Sequence, residues 1–127
     1  MAIELTLLGT GGPRPDPERS QAAALVEVDG ERYLVDCGDG TTQQLLRAGI
    51  CAADVSTLFL THLHVDHCFG LAPFVYAGWY DSRGAVRVYG PSLTQALVDD
   101  LFLRLYGADA AGRIANGRPA EACRMRP

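Results

Sequence analysis

The chain has 127 residues, enough for one domain with a modest core, and its 48% hydrophobic and 20% charged content is ordinary for a globular protein. A net charge of −4 excludes the broad basic surface that non-specific nucleic-acid binding needs, although a few arginines can still hold a phosphate. No run approaches the roughly 18–20 apolar residues of a membrane span, and Met1-Ala2-Ile3-Glu4 lacks the basic and apolar regions of a signal peptide, so the expectation is a cytoplasmic protein with no membrane partner.

Residues 3–8 alternate loosely and end at a glycine turn, which predicts a first strand. Residues 9–20 hold three glycines and three prolines without periodicity and read as a loop. Residues 22–28 and 31–36 flank Asp29-Gly30, a strong hairpin signal. A loop over 36–40 feeds a short helix over 41–48, ended by Gly49. Residues 54–61 are β-branched and apolar, as in a buried strand. A helix follows over 71–79, with Pro73 tolerated in its first turn, then a strand over 86–89. Residues 92–106 carry helical apolar spacing, with Ser92 as the expected N-cap and Gly107 as the stop. Residues 121–127 show no cap, strand pattern or apolar face, and this ending is read as that of an incomplete gene product. The elements together predict a layered α/β domain over 1–127.

His62-Leu63-His64-Val65-Asp66-His67 contains all three histidines of the chain, directly after the strand over 54–61. Ligand sites collect at the carboxyl ends of strands in α/β sheets. In extended backbone, residues i, i+2 and i+4 share a face, so His62, His64 and Asp66 converge, whereas His67 needs a chain reversal, assigned to Gly70, Leu71 and Pro73. Imidazole suits borderline divalent metals such as zinc, and a carboxylate helps to neutralise a second cation. A metal pair of this kind lowers the pKa of a bridging water and clamps an in-line displacement.

The stretch from Thr61 to Leu71 resembles the H-x-H-x-D-H motif of the metallo-β-lactamase superfamily. Leu8-Gly9-Thr10-Gly11-Gly12-Pro13 and Leu34-Val35-Asp36-Cys37-Gly38-Asp39-Gly40-Thr41 resemble the glycine turn and L-x-D-C-G-x-G-T segment of its ribonuclease Z-like branch. Gly78-Trp79 through Arg83, with Val88-Tyr89-Gly90-Pro91, resemble the arylsulfatase-like relatives of that branch. The resemblance implies roughly the first half of an αβ/βα sandwich and a two-zinc hydrolase. His62 and His64 would bind one metal, Asp66 and His67 the other, with Asp66 also in a catalytic role as general base. The implied substrate is a phosphodiester, as in tRNA 3′ processing, and RNA is then a partner. The alternatives are a sulfate ester, or a non-catalytic chain that binds metal weakly.

Several residues carry two readings. Asp36 either orients a histidine by accepting its second N–H or simply forms a turn. Gly9, Gly11 and Gly12 either admit backbone close to the metal pocket or serve a tight turn. Arg14, Arg19 and Arg83 are phosphate-binding candidates or surface charges. Trp79 and Tyr80 line a pocket or belong to the core. Cys37, Cys51, Cys68 and Cys123 show no paired spacing and read as reduced thiols, Cys68 being near enough to His67 to approach the metal. A catalytic zinc usually keeps three protein ligands, and the motif supplies two to each metal. No histidine follows His67, and Asp99, Asp100 and Asp109 do not match a bridging position, so the chain alone is expected to lack a full dinuclear site. Half a sandwich also leaves an apolar sheet face uncovered, which favours association, a homodimer included.

Overall fold

The computed structural model describes residues 1–81 and 84–119 and the backbone of 125–126. Among these, six strands form one sheet in sequence order: β1 (Ile3–Gly9), β2 (Ala23–Val28), β3 (Glu31–Val35), β4 (Thr57–Phe59), β5 (Val86–Tyr89) and β6 (Met125–Arg126). The first three are antiparallel and the last four parallel. The β2–β3 hairpin turns at Asp29 and Gly30, whose φ values of 50° and 87° match the positive pair that a two-residue turn requires. β6 corrects the expectation of an unpatterned ending. Its two residues pair with Val86 and Arg87 through the backbone, which a side-chain pattern does not reveal.

The helices are α1 (Thr41–Arg47), α2 (Val65–Cys68), α3 (Leu71–Tyr80), α4 (Thr94–Asp99) and α5 (Gly107–Ala115). α4 runs on into a π-helical stretch, Asp100–Leu105. Two expectations are corrected here. Ser92 does not cap α4: Leu93 holds the capping position at φ 75°, and the Thr94 hydroxyl donates to Pro91 O at 2.7 Å. The strand over 54–61 shrinks to three residues, because Ala52–Asp54 coils into a 3₁₀ turn and the chain leaves the sheet before the histidines. α5 was not foreseen at all. Its short, glycine- and alanine-rich segment has little apolar periodicity beyond the buried Ala110.

Alternate residues of the sheet point to opposite faces. One face sends Leu8, Leu25, Leu34, Leu58 and Val88 into the core, where Leu45 of α1, Phe74 and Val75 of α3, Val98 of α4 and Phe102 complete the packing. The helical layer therefore lies on this face. Trp79 is buried and donates its indole N–H to Pro119 O at 3.2 Å, so its core reading holds, while Tyr80 is exposed beside the Arg113 and Arg118 guanidiniums.

Candidate metal centre

β3 and β4 run parallel, so their carboxyl ends lie side by side, and the chain turns out of both there. Asp36 follows β3 in left-handed backbone, φ 60°, a conformation that aspartate and asparagine adopt more readily than most residues. Its amide donates to Phe59 O at 2.8 Å. That twist turns the carboxylate inward, where it is buried and accepts the Thr61 amide at 2.8 Å, the Thr61 hydroxyl at 2.9 and 3.0 Å, and His67 Nδ1 at 2.8 Å.

The proton inventory of this network fixes two tautomers. A carboxylate only accepts, so His67 carries its proton on Nδ1 and presents a bare Nε2. The single Thr61 hydroxyl proton goes to Asp36, so His62 Nδ1, 2.9 Å away, donates to the Thr61 oxygen and also leaves Nε2 bare. His62 Nε2 lies 3.1 Å from His64 Nδ1, and His67 Nε2 lies 3.5 Å from Asp66 Oδ2. The His62 and His67 rings stand 4.0 Å apart between centroids, so the two donor pairs adjoin. Among the described residues no group of three or more His, Cys, Asp or Glu side chains forms a cation cage.

The expected extended run through the motif is corrected. His64 is still extended, at ψ 146°, but Val65–Cys68 forms one helical turn. The reversal thus comes before Asp66 and places Asp66 and His67 on α2. The His67 carbonyl accepts the Cys37 amide at 2.8 Å, and the Cys37 carbonyl accepts the Gly70 amide at 2.9 Å. These bonds dock the motif directly on the Asp36-Cys37-Gly38 loop.

Two glycines make that docking possible. A Cβ on Gly38 would stand 2.3 Å from Asp66 O, and one on Gly70 would stand 2.1 Å from Gly38 O. Gly9 is used similarly, against Gln21 O at 1.8 Å, which supports its tight-packing reading, whereas Gly12 has open space around it. Thr61, Gly38 and Gly70 were not singled out from sequence. Their signal was present as the residue before the first histidine and as glycines within the D-C-G and F-G-L segments.

Cys68 does not turn toward the donor atoms: it is buried, with Sγ 3.6 Å from His62 O. Burial first, then the Asp36 and Asp66 carboxylates, push its thiol up to about 11. Cys51 is exposed and Cys37 buried. Iodoacetamide at pH 8, followed by peptide mass mapping, is therefore expected to label Cys51 well before Cys37 or Cys68; equal labelling of Cys68 would contradict its burial. Because the folded thiol ionises later than the unfolded one, this site disfavours the folded state as pH rises from about 9 to about 11. Arg14 and Arg19 are exposed on the loop over 10–20 and border one concavity of about 620 Å³, while Arg83 lies outside the described residues.

The chain is 42% identical over 118 residues to a ribonuclease Z of Mycobacterium marinum, an alignment covering 90% of this chain and 42% of that protein. A ribonuclease Z of Mycobacterium avium is 49% identical over 100 residues, covering 76% of this chain and 36% of the relative. The crystal structure of human tRNase Z, short form, superposes with a TM-score of 0.72 at 32% identity, over 85% of this chain and 39% of that one. The chain thus spans about two fifths of the length of these relatives. Residues 3–108 match the family described as "Anti-Pycsar protein Apyc1". The chain belongs to that family, with the metallo-β-lactamase fold and a ribonuclease Z-like sequence.

Proposed function

We propose that this chain carries the motif half of a two-zinc hydrolase acting on a phosphodiester, with RNA of the tRNA 3′-end type as substrate. The observation that carries the reading is the pair of donor–donor separations, 3.1 Å for His62 with His64 and 3.5 Å for Asp66 with His67. Zinc bonds of roughly 2.0–2.2 Å in a tetrahedron put neighbouring donors about 3.3–3.5 Å apart. Each pair therefore fits one edge of such a set, and its remaining places fall to other ligands.

In this reading His62 and His64 hold one ion, Asp66 and His67 the other, and Asp66 doubles as proton acceptor. Bound zinc would supply a water acidified toward neutral pH. Asp36 fixes the His67 tautomer and ring direction, and Thr61 carries the same constraint to His62. The ribonuclease relatives favour the phosphodiester over a sulfate ester. The arginine-bearing loop over 10–20 is a place for substrate phosphate, consistent with an RNA partner on an otherwise acidic chain.

Zinc titration against a chromophoric chelator tests the metal assignment. His62→Ala and His67→Ala are each expected to weaken binding at least tenfold, and unchanged affinity in both overturns it. The substrate reading is tested with the zinc-loaded chain: cleavage of an aryl sulfate in preference to a 3′-extended tRNA would sink it.

A further inference from the structure

The second face of the sheet is apolar and bare among the described residues. Ile3, Leu5 and Leu7 of β1 are 63%, 62% and 65% exposed, and Phe59 and Tyr89 are exposed as well. The register places Leu5, Val26, Tyr33, Thr57 and Arg87 in one rank, and Leu7, Ala24, Val35, Phe59 and Tyr89 in the next. Tyr33, Phe59 and Tyr89 form a ring ladder, with centroids 6.2 and 5.2 Å apart. Five strands at about 4.8 Å spacing and three ranks along the longer strands give a surface on the order of 450 Å² before side-chain relief. An apolar patch of that size on a soluble protein marks an interface.

Two occupants compete. A second copy of the chain meets an electrostatic difficulty at Arg87, which points to this face because Val86 and Val88 are buried on the other. Sheets that pack face to face keep their strands roughly aligned. With the two-fold axis along the strands, β1 of one copy covers β5 of the other, and Arg87 is pressed on Leu5 without a counter-charge. With the axis across the strands, β5 covers β5 and Arg87 faces its own copy. A second, different sheet meets neither obstacle. More than half of each ribonuclease Z relative lies outside its match to this chain, enough for another layer.

We infer that the open face is a docking surface for a second polypeptide layer, a β-sheet with an apolar inner face and an acceptor opposite Arg87, of the kind those relatives carry in their unmatched part. This inference rests on the sheet alone and stands apart from the metal reading.

The test is co-expression of the full chain, affinity-tagged, with the unmatched part of the M. marinum ribonuclease Z. A 1:1 complex by light scattering is expected. Leu5→Lys is expected to abolish it and His62→Ala to leave it intact, so that a failed metal reading does not pass for a failed interface. Alone, the chain is expected to be monomeric and to enhance the fluorescence of an anilinonaphthalene sulfonate probe several-fold, with most of that signal lost in the complex and in Leu5→Lys. Failure of the partner to copurify overturns the inference, as does a homodimer of the chain alone that Leu5→Lys disperses.

Discussion

Replacing Asp36 with alanine is expected to cost about 2–3 kcal/mol of stability, since hydrogen bonds to a charged group contribute roughly 1.5–3 kcal/mol each and part of this network is exposed. It is also expected to lower zinc affinity by about 10–100-fold, the usual effect of removing a carboxylate that orients a metal-binding imidazole. Three donors lose their acceptor together: His67 Nδ1, the Thr61 amide and the Thr61 hydroxyl. The backbone contributes separately, because φ 60° suits aspartate or asparagine and strains alanine. Asp36→Asn isolates the charge, keeping the left-handed backbone and one acceptor oxygen while removing the second. Urea unfolding and zinc titration should therefore rank wild type above Asp36→Asn, and Asp36→Asn above Asp36→Ala. If the asparagine variant matches wild type in zinc affinity, Asp36 acts as a turn residue and not as an orienting base.

The second large effect is expected at Gly70. Alanine there would put Cβ 2.1 Å from Gly38 O and 3.1 Å from Cys37 O, both backbone atoms with no side chain to rotate away. Relief requires α3 to lift from the Asp36–Gly38 loop, breaking the Gly70 amide bond to Cys37 O. Overpacking of a well-packed site costs about 1–3 kcal/mol and more where backbone must move, so about 3 kcal/mol is expected for Gly70→Ala. Gly112 is the control. It sits inside α5 with nothing within 4 Å of an added Cβ, and alanine there should stabilise by about 0.5–1 kcal/mol. Thermal unfolding separates the two outcomes in sign. A Gly70→Ala variant as stable as wild type would show that the motif and the D-C-G loop are not packed as described.

The glycine-rich and histidine-rich segments were legible from the chain for a local reason: chemistry-bearing residues stood within a few positions of one another. His62, His64, Asp66 and His67 needed no fold to be recognised as a donor set, and Asp29-Gly30 specified its own turn. The strand and helix faces were equally readable where apolar spacing was regular, as in β1, β5 and α3.

Long-range contacts were not legible. Which histidine Asp36 serves depends on β3 and β4 being parallel neighbours, and that brings residues 31 positions apart to 2.8 Å. The bonds from Thr61 to both Asp36 and His62 exist only after that pairing. The helical turn at Val65–Cys68 overrode the alternation expected through Asp66, because Cys37 and Gly70 anchor its ends by backbone hydrogen bonds that no side chain announces. The sequence alone determined the donor types and their local order, through side-chain chemistry and short spacing. Only the tertiary structure decided the two donor pairs, the tautomers that face them and which sheet face stays open, because these depend on strand pairing and backbone contacts between distant segments.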